Sequence, residues 1–225
     1  MPQSFICSPS AQTGSSRIAS KENLKLRIVI LGPDGAGKSS VIQGFMGSWI
    51  QAGRVVKMRH LKPFYVRPRR GAPVLINPVP HCMPPRSALT SVAKIFVWLL
   101  EEWYAYLLQD KKAVLLICDR YYHDLLVDPI RYRYGGPMSI ARLIGTLMPR
   151  PRLWVLLDAP TEILRARKQE VQAEESARQR QAYLSLVRKQ RNYVIVDASQ
   201  PLGKVITDVE HAITTAVIES EGNRG

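Results

Sequence analysis

Short apolar runs alternate along this chain with longer segments in which apolar residues recur every three to four positions. Leu26 to Leu31 is apolar but for Arg27, rich in β-branched residues, and ends at a glycine, which predicts a strand. Lys38 to Ile50 has the helical period and stops near Gly53. Arg54 to Met58 predicts a second, short strand, and Ser87 is placed to cap a long helix reaching about Gln109. Ala113 to Cys118 is apolar throughout, as a strand buried on both faces must be. Pro137 opens a helix that ends before Pro149. Arg152 to Leu157 reads as a fourth strand, Thr161 to about Lys189 as a helix with a highly charged middle, Tyr193 to Val196 as a fifth strand and Leu202 to Glu219 as a last helix. Strands and helices in strict alternation predict an α/β fold with a parallel sheet covered on both faces.

Composition narrows the class. With 225 residues and a hydrophobic fraction of 46%, the chain has enough apolar surface for one buried core. The apolar runs are strand-sized, well short of the roughly 18–20 residues of a membrane span. The longer Ser87 to Leu108 stretch is interrupted by Lys94, Glu101 and Glu102, so it reads as a helix of a soluble protein. Residues 1–24 are Ser-rich and aperiodic, with no basic start leading into an apolar core, and read as a flexible tail before a single domain at 25–225. Cys7, Cys82 and Cys118 are odd in number and lack a C-x-x-C spacing, which points to a reducing cytoplasm. His60, His81, His123 and His211 lack metal-ligand spacing. A net charge of +14 attracts polyanions, whether nucleotides, phosphorylated substrates, nucleic acid or anionic lipid. Residues 62–86 are rich in Pro and Arg, a loop long enough to be functional or mobile, and its Arg67, Arg69 and Arg70 read first as a solvated basic face.

The strongest chemical signal follows the first strand. Gly32-Pro33-Asp34-Gly35-Ala36-Gly37-Lys38-Ser39 is G-x-x-x-x-G-K-[ST] in full, between a strand and a helix as the motif requires. Its backbone N–H groups, from Gly32 through Gly35, Ala36 and Gly37 into Ser40, predict a cradle for the phosphates of ATP. Lys38 is expected to reach the β- and γ-phosphates, and the Ser39 hydroxyl to take Mg²⁺. A second Mg²⁺-side group belongs at the end of a buried strand, where Asp119 and Asp158 both stand. Asp119 is favoured because Arg120 follows and could grip an acceptor phosphate. Asp158, before Ala159-Pro160-Thr161, could instead help start the next helix.

These residues bring a family into view. The chain resembles the thymidylate kinase-like branch of the nucleoside monophosphate kinases through Gly32 to Ser40, Asp119-Arg120-Tyr121, Leu157 to Glu162 and Val196-Asp197-Ala198-Ser199-Gln200, in the family's order and approximate spacing. The resemblance spans about Leu26 to Val217. It implies a three-layer P-loop NTPase fold with a five-stranded parallel sheet and a helical lid at about 165–182. It also implies that Asp119 serves Mg²⁺, that Arg120 beside Tyr121 holds the acceptor phosphate, and that Asp34 approaches the acceptor sugar. The loop around Asp197 to Gln200 would lie near the adenine, and a homodimer is expected, with the Ser87 to Leu108 helix as its interface.

Some relatives carry a transition-state arginine in the P-loop, where this chain has Gly35. The cation is then expected from the lid, with Arg165 and Arg167 as first candidates and Arg178 and Arg180 behind them. A solvated helix with Glu162–Arg165 and Arg167–Glu170 pairs is the plainer reading of that segment. The Arg-Glu-Pro-Gly motif of thymidylate kinases is replaced here by Arg59-His60-Leu61-Lys62-Pro63-Phe64, and the arginine that reads the thymine edge has a loose counterpart in Arg86. The block Asp128-Pro129-Ile130-Arg131-Tyr132-Arg133-Tyr134-Gly135-Gly136 resembles one in thymidylate kinase-like proteins of bacterial polysaccharide clusters. Its Arg131 and Arg133 are candidate substrate contacts, and its tyrosines could stack on a base. The expected function is ATP-dependent transfer of a phosphoryl group to a nucleoside monophosphate, dTMP first. A sugar or glycan acceptor is the second reading. A non-catalytic nucleotide- or nucleic-acid-binding module is the third.

Overall fold

The computed structural model describes residues 26–60, 83–109, 115–169 and 171–222. The N-terminal tail, Arg67, Arg69, Arg70, Cys7, Cys82 and His81 of the sequence reading lie outside the described residues. Five parallel strands form one sheet in the order β2-β3-β1-β4-β5, where β1 is Leu26–Leu31, β2 Val56–His60, β3 Leu115–Asp119, β4 Leu153–Asp158 and β5 Tyr193–Asp197. β1 and β4 are buried almost end to end, whereas the edge strands β2 and β5 are half exposed, which is why their sequences are more polar.

Helices cover both faces. On one face, Ile28 and Ile30 pack with Phe45 and Trp49 of α1 (Lys38–Gln51) and Val209 and Ile213 of α7 (Leu202–Gly222). On the other, Val29 and Leu31 pack under α2 (Ala88–Tyr104), the short α3 (Asp124–Val127), α4 (Met138–Leu147) and α6 (Ala173–Val187). The Ser87 side chain caps α2 by accepting from the N–H of Thr90, as the sequence suggests. The crossovers are helical and long enough to return each strand parallel to the last.

Four details differ from the sequence reading. β2 starts two residues later than expected, because Gly53 (φ 71°) and the stacking of Arg54 on Trp49 prolong the turn after α1. α2 runs on into a π-helical turn, Ala105–Gln109. The helix expected from Thr161 to Lys189 is broken into α5 (Thr161–Arg167) and α6, with Lys168 in extended conformation. Glu102, taken as a solvent-facing interruption, points inward. It meets Arg27 at 2.7 Å and Arg59 at 2.9 Å, and its side chain is 4% exposed. Among the described residues no helix is long and apolar enough to cross a membrane.

Candidate functional site

The loop leaving β1 is shaped by two close approaches. A Cβ on Gly32 (φ 152°) would lie 2.6 Å from the Leu157 carbonyl oxygen, and one on Gly35 (φ 86°) would lie 2.3 Å from that of Leu164. The loop is therefore pressed between β4 and α5, and only glycine fits at those two positions. The packing also leaves no room for an arginine at position 35: the backbone of α5 occupies the space that a side chain there would need. Ala36 donates to the Pro33 carbonyl at 3.2 Å, and Gly37 leads into α1 in the left-handed conformation.

No side chain caps the N-terminus of α1, so its first-turn N–H groups face the loop without a side-chain acceptor. Lys38 is 7% exposed, and its Nζ folds back to donate to the carbonyls of Gly32 (2.6 Å) and Pro33 (2.9 Å). Burial lowers its pKa to about 8, with Arg120 adding to the effect and Asp34, Asp124 and Asp119 opposing it. Ser39 and Ser40 are exposed on the first turn of α1. A glycine loop, an uncapped helix end and a lysine across its mouth are the parts from which anion sites are built.

Asp119 ends β3 directly opposite His60 of β2, and its Oδ2 lies 3.0 Å from His60 Nδ1. Burial would raise its pKa, but the His60 hydrogen bond and the charges of Arg120 and Lys38 hold the carboxyl below its ordinary value. The chain then turns through Arg120 at φ 67°, a left-handed conformation costing a non-glycine residue about 1–2 kcal/mol. The turn is held by Asp124, whose Oδ2 accepts from the N–H of Tyr121 at 2.8 Å and whose Oδ1 accepts from the Tyr183 hydroxyl of α6 at 2.7 Å. Asp124 is 1% exposed, and burial raises its pKa against the pull of Arg120 and these two donors.

Arg120 and Arg131 converge on one carboxylate. Arg120 donates to Asp34 Oδ1 at 3.2 Å, and Arg131 donates to Asp34 Oδ2. The turn that carries Arg131 is fixed by the Asp128 side chain, which accepts from its N–H at 3.0 Å. Arg133 turns away to the Pro84 carbonyl, at 3.0 Å, and its own carbonyl accepts from the N–H of Arg86. With Arg86 it forms a cationic group around Lys94, whose pKa is lowered to about 8 by burial and then by these two charges.

The lid-side arginines separate. Arg167 donates to the Ala198 carbonyl at 2.7 Å, in the Asp197 to Gln200 loop rather than at the glycine loop after β1. That loop is tied by Ser199 and Gln200 to Asp197, whose pKa their hydrogen bonds lower to about 2. Arg165 has its Nε shut from solvent without a partner among the described residues. Arg180 forks onto Asp158 at 2.8 and 2.9 Å. Asp158 is thus a counter-ion for α6 and not a cap for α5, which has no side-chain cap. Arg178 bonds to Glu175 and the Val127 carbonyl. Glu170, expected to pair with Arg167, lies outside the described residues.

Two expectations need correction. Tyr121, a candidate substrate contact, is 1% exposed and donates to the Pro149 carbonyl from within the core. The left-handed step at Arg120 sends that arginine to the site and the next side chain under the sheet. The tyrosines of the Arg-Tyr block do not present faces for a base either. Tyr132 packs edge-on to Trp98, with ring centroids 5.7 Å apart, and Tyr134 is 7% exposed. His60, Asp124 and Tyr183 were missed. Only the strand register, which sets His60 opposite Asp119, could have pointed to the first.

Compared with models of known protein families and with curated proteins, the chain matches none of them.

Proposed function

We propose that this chain is an ATP-dependent phosphotransferase whose acceptor carries a phosphate, with a nucleoside monophosphate as the acceptor class and dTMP first. The observation that carries this reading is the convergence of Arg120 and Arg131 on Asp34, within the loop that also holds Lys38. Two guanidiniums at one point suit a dianionic acceptor phosphate, which could take the forked contacts that Asp34 takes here. The resemblance to thymidylate kinase-like proteins supports the same roles for Asp119 and Arg120.

In this reading the loop amides of Gly35, Gly37 and Lys38 hold the donor phosphates, and Lys38 moves its ammonium from loop carbonyls to the β- and γ-phosphates. Ser39 and Asp119 offer hydroxyl and carboxylate oxygens, the hard donors Mg²⁺ takes, and the ion would supply charge neutralisation on the phosphates. A phosphate oxygen of the acceptor forms the bond to the γ-phosphorus as the bond to the ADP oxygen breaks. The protein supplies position and positive charge. Arg165, at the end of α5 beside the loop, is the lid cation this arrangement favours, because Arg167 is engaged at Ala198. Gln200 and its loop would flank the adenine.

An ADP-release assay across dTMP, dUMP, UMP, CMP, AMP and GMP tests the reading, and folded, ATP-binding protein that turns over none of them removes it. Arg131→Ala should raise the acceptor KM by about tenfold or more, the value of one charged contact, while Arg133→Ala should leave it near wild type. One observation favours a hydroxyl acceptor instead: the His60–Asp119 pair is a carboxylate-supported imidazole of the kind that takes a hydroxyl proton. ATP turnover stimulated by a sugar panel and not by nucleotides would select that reading. A cytoplasmic location belongs to the same reading and is supported by the odd cysteine count without a C-x-x-C spacing. A second copy would cover the exposed Phe96, Leu100, Trp103 and Leu107 along α2 and the turn that follows it, which light scattering at two concentrations tests.

A further inference from the structure

A groove of about 1100 Å³ opens on the face covered by α3, α4 and α6, between the α4–β4 connection and the end of α6. It lies toward the amino ends of β1 and β4, whereas the cradle and Asp119 lie at the carboxyl ends of their strands. Beside Arg27, which pairs with Glu102, five cations line it: Arg142, Arg150, Arg152, Lys189 and Arg191. No carboxylate belongs to its lining, and none of the five side chains has an ion-pair partner among the described residues. Cations gathered in one concavity without counter-ions raise the local potential and favour an anion there.

Apolar side chains, Leu126, Met148, Trp154 and Leu186 among them, line part of the groove beside the polar Thr146, Ser185, Gln190 and Asn192. His123 stands edge-on to Trp154, with ring centroids 4.9 Å apart, and forms part of the wall. Its Nδ1 is shut from solvent and has no hydrogen-bond partner among the described residues. A buried polar atom left unpaired is costly and uncommon, and here it borders the groove. The volume matches a small ligand.

We propose that this groove binds a phosphorylated ligand of nucleotide size, its phosphates on the rim arginines and its base against the apolar wall. The groove is not the site of phosphoryl transfer, because the cradle opens at the other end of the strands. Its ligand is an effector. The walls belong partly to α3 and α6, whose Asp124 and Tyr183 together hold the turn that presents Arg120. The assignment does not depend on the reaction proposed for the cradle.

The test is calorimetric titration of ATP into the full-length Lys38→Ala chain, which disables the cradle. Binding should persist, and should weaken at least about tenfold when Arg152→Glu and Arg191→Glu are added. If that variant melts early, Arg142→Glu with Arg191→Glu, both at exposed positions, makes the same comparison. Inorganic tripolyphosphate should bind at least about tenfold more weakly than ATP, since it lacks a base to bury. Four results would each overturn the proposal: no ATP binding to Lys38→Ala, binding indifferent to the charge reversals, tripolyphosphate binding as tightly as ATP, or a 20-nucleotide single-stranded RNA displacing ATP at lower concentration than free nucleotide does. A chain that keeps this binding but shows no kinase turnover separates the groove from the cradle.

Discussion

Substituting Gly35 by alanine tests how the loop and α5 are built together. Two glycines of the loop share nearly the same backbone, Gly35 at φ 86° and Gly37 at φ 80°, but differ in surroundings. A Cβ on Gly37 meets nothing within 4 Å, whereas one on Gly35 would stand 2.3 Å from the Leu164 oxygen and 3.1 Å from its carbonyl carbon. Both variants carry the left-handed penalty of about 1–2 kcal/mol, and both gain the same small stabilisation from a less flexible unfolded chain. Gly35→Ala must in addition displace backbone, because the obstructing atoms are not the end of a side chain. Overpacking of that kind costs roughly 1–3 kcal/mol. At about 2–4 °C per kcal/mol for a chain of this size, Gly35→Ala should melt roughly 2–12 °C below Gly37→Ala. Thermal unfolding followed by circular dichroism, with urea midpoints as a check, measures the difference. Equal melting temperatures would mean that α5 does not seat on the loop, and would remove the obstacle to an arginine at position 35.

Two further perturbations probe the same architecture. Tyr183→Phe deletes the donor to Asp124 Oδ1 and should destabilise by about 1–3 kcal/mol, and it should also raise the acceptor KM by loosening the Arg120 turn; a variant that melts lower with unchanged acceptor kinetics would show that the contact serves folding alone. Burial lowers the His123 pKa from 6.5 to about 4, so the unfolded chain binds this proton first as the pH falls. Its share of stability is therefore intact above pH 6.5 and declines below it, with a loss of about 2 kcal/mol by pH 5 that levels off below pH 4. His123→Phe keeps the ring and should lose that much less stability between pH 7 and pH 5; parallel pH curves for the two proteins would contradict the assignment.

The central strands were legible because they are buried on both faces, and a run such as Leu153 to Leu157 admits few other readings. The tight turn of the loop after β1 was legible because glycine spacing is a direct record of backbone conformation, and the structure gives Gly32, Gly35 and Gly37 positive φ. What escaped depends on contacts between distant segments. Charge in a helix reads as solvent-facing, but Glu102 is buried and meets two arginines from β1 and β2, the strands on either side of β3. The break between α5 and α6 follows residues of good helical propensity, and tertiary contacts, Arg167 to Ala198 and Arg180 to Asp158, fix the two pieces separately. The Arg-Tyr block alternates in sequence as a binding ribbon would. Its turn at Asp128 to Tyr134 instead sends Arg131 to Asp34, buries Tyr134 and packs the half-buried Tyr132 against the core. Asp124 sits in a helix of four residues, too short to leave a period in the sequence.

The most direct measurement is the shift of backbone amide resonances when ATP-Mg is added to isotopically labelled protein. The N–H groups of Gly35, Gly37, Lys38 and Ser39 should move most among the described residues, and should stay in place in Lys38→Ala at the same nucleotide concentration. Amides of that loop left unmoved by saturating ATP-Mg would contradict the phosphate cradle, and with it the transfer reaction proposed for this chain.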